Sequence, residues 1–252
     1  MFELKTSARG GSAKGGKSLK LKANYIIGID EVGRAASKRR ASPHYIIGID
    51  EVGRGPLAGP VVVAALAAPN NLKFKIKNFP PKAGQPLAEK FKTKLRDSKK
   101  LSPKQREIWF KWIKENLHYS IASVYPSVID RINISNAANL AANRAFKKII
   151  ANYKIANCKI FLDGGLYLSK SLNSKSYILN SRTIIKGDEK IPAIALASIV
   201  AKVVRDKKMA EYHKKYPRYG FAQHKGYGTK KHIKAIKKHG ISLIHRKSFK
   251  IH

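Results

Sequence analysis

Apolar and polar residues alternate along this chain in two rhythms, one of period two and one near 3.6, and the switches between them mark the predicted elements. Tyr45–Glu51 and Val61–Ala68 are rich in Ile and Val and predict two strands. Residues 70–97 are rich in Pro and Lys and predict a loop. Ser102 can cap a helix and Pro103 suits its first turn, so Pro103–Asn116 is a predicted helix. His118–Val124 alternates like a strand. Ile134–Tyr153 is Ala-rich, with Leu140, Phe146, Ile149 and Ile150 toward one side, which is a helical pattern. Lys159–Asp163 and Ser176–Ile185 predict short strands. Pro192–Tyr212 predicts a helix with Ile194, Ile199, Val203 and Met209 among its apolar positions. A last helix is predicted over Thr229–His239, stopped by Gly240. Strands interleaved with helices predict an α/β layered domain.

The segment before Tyr45 is of another kind. Residues 1–24 are mostly Gly, Ser, Lys and Ala, with little to bury, and are expected to be a disordered basic tail. Tyr25–Arg34 then reads YIIGIDEVGR, and Tyr45–Arg54 repeats it letter for letter. A short motif that recurs once is not a solenoid. The first copy runs into the polar, basic stretch Ala35–Arg40. The second runs into Gly55-Pro56-Leu57-Ala58-Gly59-Pro60 and a long apolar strand. Only the second has structure to pack against, so it is the expected working copy. The predicted division is a basic tail carrying a duplicated motif over 1–44 and one domain over 45–252.

Charge narrows the partner. The chain carries 52 Lys plus Arg against 15 Asp plus Glu, a formal net charge of +37. Such an excess repels itself unless a polyanion is near, and neutralising phosphates releases their counterions. Nucleic acid is the expected partner. The single cysteine, Cys158, excludes an intrachain disulfide, reads as a core residue, and fits a reducing compartment, with the cytoplasm as the expected location. The longest apolar run, Val61–Ala68, is strand-length, far short of the ~20 residues that span a bilayer. The basic N-terminus has no apolar stretch behind it, so no secretory signal is expected.

The acids are few, and their placement carries the chemistry. Asp50 and Glu51 end the strand Ile46-Ile47-Gly48-Ile49, Asp163 ends Ile160-Phe161-Leu162, and Asp188 follows Ile184-Ile185-Lys186-Gly187. A carboxylate finishing a buried strand pays a desolvation cost unless paired or metal-bound. Salt bridges to the many Lys and Arg residues would answer for any one of them. Several such carboxylates gathered in a basic protein suggest a cluster that hard divalent cations, Mg²⁺ or Mn²⁺, would neutralise. Asp97 reads as a turn cap or a partner for nearby lysines, and Asp206 as structural. The late histidines make no tight zinc pattern, and Ser198 and Ser248 lack a nucleophile-elbow context.

These residues resemble a known family. Gly48-Ile49-Asp50-Glu51-Val52-Gly53-Arg54-Gly55-Pro56-Leu57-Ala58-Gly59-Pro60 is similar to the signature of ribonuclease HII, the type 2 ribonuclease H. The likeness continues in Asp97–Ser102, Ile129–Ile134, Leu162-Asp163-Gly164, Lys186-Gly187-Asp188, Ala197–Asp206, Tyr219–Thr229 and His245–Phe249, in the family's order. The resemblance implies an RNase H-like fold, a central mixed sheet flanked by helices with a C-terminal helical extension. It implies that Asp50, Glu51, Asp163 and Asp188 hold two divalent ions, one serving the attacking water and one the leaving 3′ oxygen, with 5′-phosphate and 3′-hydroxyl products. Gly53-Arg54-Gly55 resembles the family's ribonucleotide reader, whose glycines let main-chain groups approach the 2′-hydroxyl. Tyr227 resembles the family tyrosine that stacks on the next sugar and favours a deoxyribose there. Lys99, Lys100, Lys202 and Lys225 are candidate phosphate contacts. The implied substrates are RNA–DNA hybrid and duplex DNA with an embedded ribonucleotide, with a role in ribonucleotide repair. A monomer is expected.

The chain departs from the pattern in places. Leu196 interrupts the small residues Ala195 and Ala197, a core change. In the first repeat copy Ala35 follows Arg34, which breaks the reader, so Asp30 and Glu31 are not placed in the site. Two other readings compete. A ribonuclease HIII would lack the intact Gly53-Arg54-Gly55 and would carry a long N-terminal platform. A catalytically dead nucleic-acid-binding module would lack one of the four carboxylates.

Overall fold

The structure, a computed structural model, describes residues 45–70, 95, 98–169 and 181–251. The duplicated motif, the basic tail, Asp97, the lysine-rich stretch over 71–94 and the first half of the strand predicted over 176–185 fall outside them.

Among the described residues, five strands form one mixed sheet: β1 (Tyr45–Val52), β2 (Val61–Pro69), β3 (His118–Val124), β4 (Cys158–Asp163) and β5 (Ser181–Ile184), in the order β3-β2-β1-β4-β5. β1 pairs antiparallel with β2, and β2 with β3, while β1–β4 and β4–β5 are parallel. The helices are α1 (Pro103–Asn116), α2 (Pro126–Ile132), α3 (Ile134–Tyr153), α4 (Gly187–Lys190), α5 (Pro192–Lys215), α6 (Phe221–His224) and α7 (Lys230–His239). This is the mixed, helix-flanked sheet expected.

Period-two alternation sorts β1 and β2 onto two faces. Ile47, Ile49, Val61, Val63, Ala65 and Ala67 pack under α3, against Ala138, Ala142 and Phe146. Val62, Ala64, Leu66 and Ala68 pack on the opposite face against α1 and α5, with Trp109, Ile113, Leu196 and Val200. Leu196, the residue that breaks the run of small side chains, is fully buried in this second core. The approach of α5 to β1 is close enough that a methyl on Gly48 would lie 2.1 Å from the Ala193 carbonyl carbon. Only glycine allows the helix backbone to rest there.

The helix starts follow their caps. Ser102 Oγ accepts from the Gln105 N–H while the Gln105 side chain accepts from the Ser102 N–H, a reciprocal capping box. Thr229 caps α7 through its hydroxyl, so that helix begins one residue later than the sequence pattern suggests. α5 runs three residues beyond the predicted Tyr212. α2 and the single turn α4 are not predicted at all. Each is too short to show a helical period, and Asn133, with φ 64°, separates α2 from α3.

Beyond α5 the chain folds into a small third core of Ala58, Met209, Tyr219, Phe221, Ile236 and Ile244. Ala58 lies in the loop between β1 and β2 and forms a bridge with His245. The C-terminal extension is thereby fastened to the loop that follows Glu51. Among the described residues, no helix is long and apolar enough to cross a membrane.

Candidate active site

Parallel pairing of β1, β4 and β5 brings their C-terminal ends to one edge of the sheet. In open α/β sheets this edge, where the strand order switches direction, is where ligands bind. Register places Ile49 opposite Leu162 and Asp163 opposite Ile184, so Asp50 and Asp163 become neighbours. Asp50, Glu51 and Asp163 each offer an oxygen within 4.8 Å of the others. Asp188 is not in that group of three. It stands in the first turn of α4, beside Gly187, whose N–H donates to Asp163 Oδ1 at 2.7 Å.

The cluster is held rigidly and is electrostatically unfavourable alone. Asp50 is 4% exposed. Burial, then the charge of Glu51, pushes its carboxyl well above the ordinary carboxylate range, against the opposing hydrogen bond from Ser198. Its Oδ1 accepts from the Glu51 N–H at 2.7 Å. Burial also raises the Glu51 carboxyl to about 7, although Arg54 beside it pulls the other way. Arg54 Nη1 donates to Glu51 Oε1 at 3.1 Å, while the buried Glu51 Oε2 has no partner among the described residues. Three carboxylates with one arginine between them and an orphaned oxygen suit a hard divalent cation.

Arg54 also donates to Ser135 Oγ at 3.2 Å and lies over Gly165, just past Asp163. Gly55 follows, and a methyl there would come 3.9 Å from Tyr227 Cε1. The carboxylates, the Gly53-Arg54-Gly55 segment and Tyr227 therefore form one continuous surface, although Tyr227 is remote in sequence. The Tyr227 ring is half exposed, and its backbone is fixed from below. Ser242 N–H donates to His245 Nδ1 at 2.9 Å, so the neutral His245 carries its proton on Nε2. That proton faces His232 Nε2 at 3.1 Å, and His232 Nδ1–H in turn donates to the Tyr227 carbonyl at 2.9 Å. Protonating His232 would set two N–H groups against each other. Burial, the first cause, brings its pKa down to about 4. We expect the His232 ring signals in an NMR titration to stay in the neutral form through pH 6 and to move near 4. Titration near 6.5 would mean that the relay is not formed.

The four lysines have different surroundings. Lys100 Nζ lies 2.9 Å from Glu189, on an exposed surface where such pairs contribute little. Lys99 is exposed beside it. Lys225 donates to the Ala222 carbonyl from a left-handed backbone. Lys202 is partly buried and 2.8 Å from Asp206, which also lies 3.7 Å from Arg106, so it is engaged in linking α5 to α1. Asp206 is structural, as expected.

Ser198, set aside in the sequence as a nucleophile, touches Asp50, and its hydroxyl lies 2.8 Å from that of Ser98. One polar residue within the buried stretch Ala193–Ala201 was the available signal. Cys158 is buried, with its thiol raised to about 11 by burial, as expected of an inert core cysteine.

Residues 47–252 match the family model described as Ribonuclease HII. The chain belongs to the ribonuclease HII family. Its relatives include ribonucleases HII of Endomicrobium trichonymphae, 45% identical over 225 residues (89% of this chain, 84% of that one), and of Borrelia recurrentis, 44% identical over 226 residues (90% and 99%). Those shares exceed what residues 45–252 alone supply, so the ribonuclease HII alignments reach into the segment before Tyr45. The chain is accordingly a hydrolase, an endonuclease acting on RNA in RNA–DNA hybrids. The fold agrees. The ribonuclease H2 of Pyrococcus horikoshii superposes with a TM-score of 0.60 at 23% identity, covering 82% of this chain and 94% of that one. A ribonuclease HIII (Bst-RNase HIII) in complex with Mn²⁺ superposes at 0.54 and 20% identity, covering 78% and 63%.

Proposed function

We infer that this ribonuclease HII nicks duplex DNA on the 5′ side of a single embedded ribonucleotide, as well as cutting continuous RNA–DNA hybrid. Asp50, Glu51, Asp163 and Asp188 hold two divalent ions, Mg²⁺ or Mn²⁺. Ions held there would supply Lewis-acid stabilisation for a hydrolysis that leaves 5′-phosphate and 3′-hydroxyl ends. The chain's own residues orient the parts. Ser198 and the Glu51 N–H fix Asp50, and Gly187 fixes Asp163. Arg54 ties the reader segment to Glu51, so the 2′-hydroxyl is recognised beside the carboxylates.

The observation that carries this reading is the approach of Tyr227 to Gly55, where an added methyl would come 3.9 Å from Cε1, in the segment that Arg54 ties to Glu51. A half-exposed aromatic there can lie against a flat sugar face but crowds a 2′-hydroxyl, which selects deoxyribose at the following nucleotide. Lys99 and Lys100 add exposed positive charge for the backbone and Lys225 a half-buried one, while Lys202 also serves the α5–α1 network. Residues 45–252 act as the catalytic domain and 1–44 as a basic appendage. The enzyme works as a monomer.

The decisive experiment uses duplex DNA carrying one ribonucleotide, with and without Mg²⁺ or Mn²⁺. A metal-dependent nick 5′ of the ribonucleotide is expected. Tyr227→Ala should reduce that nick by about tenfold or more while changing cleavage of continuous hybrid by less than about threefold, because one base- or sugar-stacking contact contributes roughly 1–3 kcal/mol. Equal loss on both substrates would remove Tyr227 from selectivity, and cutting of hybrid alone would discard the single-ribonucleotide activity.

A further inference from the structure

Two arginines lie buried beneath the loop that joins β1 to β2, and neither forms an ion pair with a carboxylate among the described residues. Arg205, on α5, is 0% exposed, and Arg246, near the C-terminus, is 2% exposed. A buried guanidinium without a counter-charge is costly, so its hydrogen bonds indicate what it is retained for. All of them go to carbonyls of this one loop. Arg246 Nη2 donates to Gly53 O at 2.6 Å and to Gly59 O at 2.9 Å, Nη1 to Arg54 O at 2.7 Å, and Nε to Gly59 O at 3.0 Å. Arg205 Nε donates to Pro60 O at 3.0 Å and Nη2 to Ala58 O at 3.2 Å. The Arg246 backbone N–H takes the Leu57 carbonyl as well.

In a trans peptide the C=O and the following N–H point in opposite directions. Carbonyls of Gly53 and Arg54 drawn inward to Arg246 therefore turn the N–H groups of Arg54 and Gly55 outward. Those two N–H groups have no partner among the described residues, whereas the N–H groups of Leu57 and Gly59 are taken by Gly226 and Ile244. Gly53 itself, at φ 102°, has no room for a side chain, since a Cβ would sit 2.2 Å from Arg205 Nε. The Arg205 guanidinium carbon also lies 6.0 Å from the Tyr227 ring centre. The two cations thus stand behind both parts of the reader.

We propose that Arg246, supported by Arg205, is the positioning residue that sets ribonucleotide selectivity, by fixing the Gly53 and Arg54 carbonyls inward so that the Arg54 and Gly55 amides face the 2′-hydroxyl. This rests on the reading of Gly53-Arg54-Gly55 as the ribonucleotide reader. Arginine is required because its planar fork reaches three carbonyls at once. Lysine, a single flexible donor group, cannot hold two successive peptides in one orientation.

The test measures binding rather than cleavage, in metal-free buffer. Dissociation constants for duplex DNA with one ribonucleotide and for the same all-DNA duplex are compared between wild type and Arg246→Lys, with folding checked by circular dichroism. Wild type should prefer the ribonucleotide duplex, and Arg246→Lys should lose about tenfold of that preference while its affinity for all-DNA duplex is nearly unchanged, as expected for loss of one or two hydrogen bonds. A merely structural role would weaken both duplexes together. A folded Arg246→Lys that keeps the full preference overturns the proposal. Wild type without any preference overturns the reader reading beneath it. Should the variant not fold, amide NMR on the wild type decides. The Arg54 and Gly55 N–H signals must shift with the ribonucleotide duplex and not with the all-DNA duplex, and their silence overturns the proposal equally.

Discussion

Asp50→Asn should abolish cleavage, by at least about 10³-fold, and at the same time make the metal-free protein more stable. Loss of a ligand that stabilises transition-state charge costs several kcal/mol, hence the size of the first effect. The second follows from the electrostatics of the empty cluster. Asp50 is buried against Ser198 beside Glu51 and Asp163, so folding penalises its charged form. An amide of the same shape removes one charge from a repelling set, which is worth about 1–2 kcal/mol, or ~3–6 °C in melting temperature for a protein of this size. The gain depends on pH in a definite direction. A carboxylate raised by folding, as that of Asp50 is by burial and by the charge of Glu51, contributes stability in acid that is lost as pH rises. The stability difference between Asp50→Asn and wild type should therefore be smallest in acid and grow as the pH rises. Adding Mg²⁺ or Mn²⁺ should reverse the order, because only the wild-type site gains from the ion. Melting curves at pH 5 and 8, with and without metal, together with a cleavage assay, check each part. Undiminished cleavage would remove Asp50 from the site. A variant less stable than wild type in metal-free buffer at pH 8 would mean that the carboxylates are paired in some other way.

Gly48→Ala should be the most destabilising conservative change in the sheet. The added methyl would lie 2.1 Å from the carbonyl carbon of Ala193 and 2.4 Å from the Ile194 nitrogen, both backbone atoms that cannot rotate away. α5 would have to lift from β1 along its first turn, opening the second core around Leu196 and Val200. We expect a loss of at least about 3 kcal/mol, seen as a lowered urea midpoint. The same lift separates Ser198 from Asp50, so activity per folded molecule should fall as well. An alanine variant with the wild-type midpoint would mean that α5 does not rest on β1 in this way.

Much of the site was legible because its logic is local. A carboxylate at the end of an apolar run can be seen in sequence, and parallel pairing then gathers those ends at one edge. The two long helices were legible for a similar reason, since each carries enough turns to show its period. What stayed hidden depends on partners far apart in the chain. Ser198 looks like any helical serine until α5 is laid on β1. Arg205 and Arg246 are lost among 52 basic residues, and only their burial sets them apart. Lys202 illustrates the same point, since its pairing with Asp206 one turn along its own helix, and through it the link to α1, shows only in the structure.

The strand order has a consequence for how the site comes into being. β1, β2 and β3 form an antiparallel meander from consecutive strands, whereas Tyr45 meets its parallel partner Cys158 only after α3 has crossed over. No partly formed structure that lacks β4 contains the three-carboxylate cluster. The early meander carries only the Asp50–Glu51 pair, and the further repulsion from Asp163 enters only when β4 docks. The complete cluster that suits this edge to divalent ions therefore waits on a pairing between strands far apart in the chain.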